Sequence, residues 1–166
     1  TFSLNLTNVV GATALDTTGT GNIANDDVTL VPVFTIQGSG NTSPQVGNLL
    51  STSGIVTGVR SNGFFIQDPL GDGNASTSDG VFVFTSAAPP AAAALGNNVQ
   101  VTGTVSEFVP SQDPLSPPLT ELVSPSVVPL STGNPLPAPI VITSADLPPS
   151  GTIQQLERLE GMRVSV

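Results

Sequence analysis

Residues 54 to 84 read GIVTGVRSNGFFIQDPLGDGNASTSDGVFVF, three β-prone runs separated by one tight-turn signal and one long polar loop. Alternation sorts each run into two faces. In the first run, Ile55, Thr57 and Val59 share a face. In the second, Phe64 and Ile66 oppose Phe65, and in the third, Val81 and Val83 oppose Phe82 and Phe84. Asn62-Gly63 is a strong hairpin signal, because a type I′ turn requires positive φ at both central residues. The stretch therefore predicts three consecutive antiparallel strands.

Downstream, PPAAAALGNN predicts the single midchain helix, with Pro90 at its start and Gly96 at its stop. NVQVTGTVSEF reads as a fourth strand with a bulge at Gly103, and LTELVSPSVVPL as a fifth. Three meandering strands, a short helix and two more strands predict an all-β domain, a five-stranded OB-type Greek-key barrel over residues 49–130.

Upstream, TFSLNL alternates with Phe2, Leu4 and Leu6 on one face, and a turn-rich stretch follows with a short strand near Ile23. VTLVPVFTIQ is β-prone, but Pro32 demotes it to an edge strand or an extended connection, so residues 28–48 read as a linker or leading strand. Residues 131–166 read as a Pro-rich extended tail. Within it, SGTIQQLERLEG forms a short amphipathic helix carrying Ile153, Leu156 and Leu159, and MRVSV begins a further strand. A strand is thus expected near each end, with no evident partner inside the domain.

Composition narrows the function. The chain has 166 residues, three Arg, no Lys, twelve acidic residues and a net charge of −9. Such a balance disfavours direct nucleic-acid binding, which depends on basic side chains displacing counterions. Cys and His are both absent, which removes disulfides, thiolate metal sites and the commonest general base. No apolar run approaches the ~20 residues of a membrane span. Residue 1 lacks a signal-peptide pattern and does not read as the start of a precursor. Low charge with abundant Ser, Thr, Gly, Asn, Pro and Val suggests an extracellular or cell-surface protein.

Two resemblances cover most of the chain. Residues 1–27, with Phe2 to Leu6, Gly11-Ala12, Asp16, Gly19 to Ile23 and Asn25 to Asp27, resemble the last two strands of a Calx-β domain, an Ig-like sandwich. Residues 35–141 resemble the OB-fold module that precedes the catalytic domain in secreted bacterial endonuclease/exonuclease/phosphatase-type nucleases. The nuclease catalytic domain itself has no counterpart here, so the resemblance implies an accessory module rather than an enzyme.

Candidate sites follow from spacing. Asp72, Asn74 and Ser76 alternate as the first oxygens of a calcium loop do, with Asp68 and Asp79 nearby, so calcium is the one cofactor suggested. The same residue types build ordinary turns in long loops. The Calx-β resemblance adds Asp26 and Asp27, which read as structural. Arg60, Phe65, Phe82 and Phe84 lie on the strands that would form a base-stacking face, although no basic funnel accompanies them. Phe2, Leu4, Leu6, Val164 and Val166 are candidate assembly positions on the end strands. Asn5, Asn41 and Asn74 begin glycosylation sequons. Glu157 and Glu160, with Arg158, read as a solvated helix face.

Together these readings suggest a non-catalytic extracellular β-module that spaces, tethers or assembles neighbouring domains. An alternative is a filament subunit that exchanges its terminal strands with copies of itself. An OB domain binding nucleic acid is a third, disfavoured by charge.

Overall fold

The structure, a computed structural model, describes residues 2–22, 28–147, 150 and 153–166. Its strands are β1 (Phe2–Asn5), β2 (Thr18–Gly21), β3 (Leu49–Arg60), β4 (Gly63–Gln67), β5 (Gly80–Phe84), β6 (Asn98–Phe108), β7 (Leu119–Ser131), β8 (Ile140–Val141) and β9 (Val164–Ser165). One α-helix, α1, spans Val33–Gln37, and two 3-10 segments span Ala91–Ala93 and Ile153–Leu159.

Strands β3 to β7 close into a barrel in the order β3-β4-β5-β7-β6. Every pairing is antiparallel except β5 with β7, which is parallel. The chain is thus all-β around one five-stranded barrel, as expected. Closure leaves the five strands no free sheet edge. Phe64, Ile66, Val81 and Val83 are fully buried in the barrel core, as their alternation predicts.

The first strand departs from strict alternation. Val56 pairs with Ile66 and Gly58 with Phe65, leaving Thr57 as an extra residue. The bulge reverses the facing order beyond it. Val56, opposite Ile66, and Val59, opposite Phe64, therefore lie on the core face, while Ile55, opposite Gln67, lies on the other, so Ile55, Thr57 and Val59 do not share a face as expected.

The first hairpin also forms differently. Arg60 pairs with Gly63, so Ser61 and Asn62 are the two loop residues. None of Ser61, Asn62 or Gly63 has positive φ, which rules out the expected type I′ turn on Asn62-Gly63. Gly63 is needed for space: a Cβ there would collide with the Phe82 ring and the Val83 carbonyl.

Gly103 does mark a bulge, but the extra residue lies across from it. Thr102 pairs with Ser126 and Thr104 with Val123, so Ser124 and Pro125 of β7 together oppose Gly103. Ser124 takes φ of 52° to make the detour, and a proline is tolerated there because the ladder is already interrupted.

Two segments near the barrel change class. The VTLVPVFTIQ run is not extended throughout. Leu30 makes a parallel bridge to Ser51, and the chain then turns into α1 after Pro32 and stops at Gly38, where φ is 71°. Val33 and Ile36, three residues apart on one face of α1, are fully buried in the barrel core. Residues 28–48 are therefore part of the barrel's packing, not a linker. Conversely, the alanine run makes only the single turn Ala91–Ala93. The backbone beyond it is held by β3 instead, since Gly96 N–H donates to Val56 O (2.9 Å) and Val56 N–H to Asn97 O (2.8 Å).

The C-terminal residues strap across β4 and β5. Met162 Sδ accepts the Asp79 amide at 3.5 Å, and Arg163 N–H donates to Gln67 Oε1 at 3.0 Å. Gly80 and Gly161 touch backbone to backbone, with room for no Cβ at either position. Gly80→Ala is expected to dislodge this strap while leaving the barrel closed. Limited proteolysis should then cut after Arg158 or Arg163 at least tenfold faster than in the parent, and unchanged cleavage would refute the contact.

The end strands each find one partner. β1 pairs with β2 in a hairpin outside the barrel, and β9 pairs in parallel with β8 over two residues. MRVSV is thus not unpartnered, and the strand expected near Ile23 is placed earlier, at Thr18–Gly21. Ile23 itself, like Asn25, Asp26 and Asp27, lies outside the described residues.

Candidate functional site

The acidic loop between β4 and β5 is built from local turns. Asp68 Oδ1 accepts the Leu70 amide at 2.9 Å, Asp72 Oδ1 the Asn74 amide at 2.8 Å, and Asn74 Oδ1 the Ser76 amide at 3.1 Å. Asp72 Oδ2 also accepts the Thr77 hydroxyl at 2.9 Å. These are the backbone-mimicking bonds that Asp and Asn make in turns, and a cation would compete with them. Asp79 is closest to a ligand geometry: its Oδ1 is buried without a partner. Burial, and next the nearby Asp72 carboxylate, raise its pKa above the ordinary carboxylate value. Among the described residues, no three Asp, Glu, His or Cys side chains form a group able to hold a metal.

The predicted aromatic face is assembled, on the outside of β3, β4 and β5. The Phe65 and Phe82 rings pack with centroids 4.8 Å apart, and the Arg60 guanidinium lies 6.0 Å from the Phe82 centroid. Phe82 is only 3% exposed, so its faces are already covered. Phe84 is half-buried and opens onto a cleft of about 300 Å³ shared with Arg60, Phe108, Leu119 and Glu121. A base-stacking strand face needs exposed rings and cations. This one carries a single Arg and a buried acid.

That acid, Glu121, was not singled out by the sequence. It sits beside Phe82 across the parallel β5–β7 pairing and is 7% exposed. Burial, and next the Glu107 carboxylate, raise its pKa above the ordinary value. Alternation in LTEL does put Glu121 on the same face as Leu119. Only the topology brings that face beside Phe82.

A second unanticipated cluster lies where α1, β7 and the C-terminal 3-10 segment meet. Glu160 Oε1 accepts the Thr120 amide at 2.9 Å and Gln37 Nε2 at 3.2 Å, while Ser78 Oγ donates to the Glu160 carbonyl at 2.5 Å. Burial, and next the adjacent Glu157, push the Glu160 carboxyl up to about 8. Burial is also the leading cause of the raised pKa of Glu157. The expected solvated face is therefore wrong for this pair. Arg158 does not neutralise them, because it is bonded to Asp146 at 2.5 Å.

The assembly positions remain open. Phe2, Leu4 and Leu6 are 46%, 68% and 64% exposed, and Val164 and Val166 are exposed as well. On the hairpin's apolar face Phe2 pairs with Gly21 and Leu4 with Gly19, so small residues stand opposite large ones. No helix among the described residues is long and apolar enough to cross a membrane. No protein-family model and no curated protein sequence matches the chain.

Proposed function

We propose that this chain is a non-catalytic extracellular β-module that spaces, tethers or assembles neighbouring domains of a larger secreted protein. The supporting observation is the β1–β2 hairpin, which stands outside the barrel with Phe2, Leu4 and Leu6 exposed. A two-stranded hairpin is marginal alone and gains stability when its apolar face packs on a further layer. That layer is supplied by the adjoining domain in this reading. The lack of His, Cys and Lys accords with a structural role.

Strand exchange between copies is the second reading, favoured by the outer edges of β1 and β9, each of which is paired on one side only among the described residues. Addition of a strand to such an edge is a common mode of association, and head-to-tail repetition gives an open polymer.

Hydrogen exchange of the natural secreted protein, beside the 166-residue chain alone, tests both. The amides of Phe2 to Leu6 should be protected at least tenfold more in the natural protein. Equal, fast exchange in both samples would remove the docking role. Electron microscopy separates the two readings, because a natural protein that stays monomeric would remove the filament.

A further inference from the structure

We infer that the outer cleft at Glu121 is a binding site for a small organic ammonium ion, held by the buried carboxylate between the rings of Phe84 and Phe108.

Three observations carry this. First, Glu121 is buried yet lines the cleft, and neither of its oxygens accepts a hydrogen bond from the described residues. Arg60 and Asn62 line the same cleft without bonding this carboxylate, which leaves it free to pair with the cation of a ligand. Second, the walls are aromatic and open: Phe84 is half-buried and Phe108 is 49% exposed. Ring faces attract cations, above all alkylated ammonium groups that shed water cheaply. Third, the charge is complementary, in a chain of net charge −9 where Arg60, the cation lining the cleft, lies over Phe82 and forms no ion pair among the described residues.

The same features argue against a phosphodiester. A phosphate placed in this cleft would face Glu121, with Glu107 also close enough to Glu121 to raise its pKa. The size suits a ligand of a few heavy atoms, since about 300 Å³ is at the lower end of small-molecule sites. Arg60 at the rim could accept an anionic group on the far end of the ligand, but the ammonium is the part the buried acid selects.

The test uses choline as the cation and 3,3-dimethylbutan-1-ol as its uncharged isostere, each titrated into the whole chain and followed by amide chemical shifts. Choline is expected to bind with a Kd on the order of 1 mM, and the alcohol at least about tenfold more weakly. Glu121→Gln should weaken choline about tenfold or more. Phe108→Ala, at an exposed position where folding is not at stake, should weaken it several-fold. Arg60→Gln should leave choline binding equal or stronger. Equal binding of choline and the alcohol would overturn the inference, as would unchanged choline affinity in Glu121→Gln. So would shifts at the cleft with single-stranded DNA but none with choline at about 50 mM.

Discussion

Phe64→Ala is expected to destabilise the barrel by about 3–5 kcal/mol, whereas Phe65→Ala, one residue along, should cost about 1 kcal/mol. The two side chains leave the same strand on opposite faces. Phe64 is fully buried among Val56, Ile66 and Val83, so truncation removes a large apolar side chain and leaves a cavity that a closed barrel cannot collapse around. Phe65 lies on the outer face, half-buried against Phe82, and its loss removes mainly one aromatic contact. Domains of this size are stabilised by roughly 5–15 kcal/mol in total, so the first change should visibly populate the unfolded state at modest denaturant. Urea unfolding of both variants measures the difference. A Phe65→Ala cost equal to or above that of Phe64→Ala would mean that the strand faces the other way.

The same pair of residues shows why much of this fold can be read in advance. Alternation along β4 and β5 is uninterrupted, and both are wall strands of the barrel paired on each side, so period and burial agree at Phe64, Ile66, Val81 and Val83. The reading fails where a non-local partner overrides local pattern. At Thr57 the bulge is set by the register with β4, and Val59 moves to the face opposite Ile55 as a result. The Ala91–Ala93 run has high helix propensity, yet Gly96 and Asn97 must bond β3, and the backbone leaves the helix to reach it. In α1 the β-branched Val33, Thr35 and Ile36 suggest a strand. The contrary signal was present in Pro32, in the three-residue spacing of Val33 and Ile36, and in Gly38 as a stop.

The candidate sites follow the same division. The acidic loop and the aromatic face were legible because each is made by residues close in sequence, and the structure does bring Arg60, Phe65 and Phe82 together. Glu121 and Glu160 were not. Glu121 gains its meaning from a parallel pairing with a strand some forty residues earlier. Glu160 bonds Gln37 and Thr120, 123 and 40 residues away. Nothing local to LERLEG distinguishes a buried glutamate from a solvated one.

Glu160→Gln is accordingly expected to make the protein more stable at alkaline pH and to leave it nearly unchanged at mildly acid pH. In the folded chain the Glu160 carboxyl titrates near 8 rather than its ordinary 4.5. Between those values the folded state holds a proton that the unfolded state has released, so stability falls as pH rises. The favourable contribution is complete below about 4.5 and lost once the pH passes about 8. Above that point a charge sits beside Glu157, with Glu107 facing the same junction and Arg158 bonded to Asp146. The effect in the parent should be on the order of 2 kcal/mol, less than the full shift implies because part of the carboxyl still meets water. A glutamine keeps the Oε1 acceptor for the Thr120 amide and for Gln37 without acquiring charge, so it reproduces the protonated acid. Glu160→Ala supplies the contrast: it leaves the Thr120 amide and Gln37 without that acceptor and should be less stable than Glu160→Gln throughout the range. Thermal melts from about pH 5 to 9 should show the parent's Tm declining while that of Glu160→Gln holds. Parallel curves for the two would show that Glu160 carries the same charge in both the folded and the unfolded chain. With the predicted decline, the strap that docks on β4 and β5 is held by a carboxyl that must keep its proton, and alkaline conditions should loosen Leu159–Arg163 before the barrel opens.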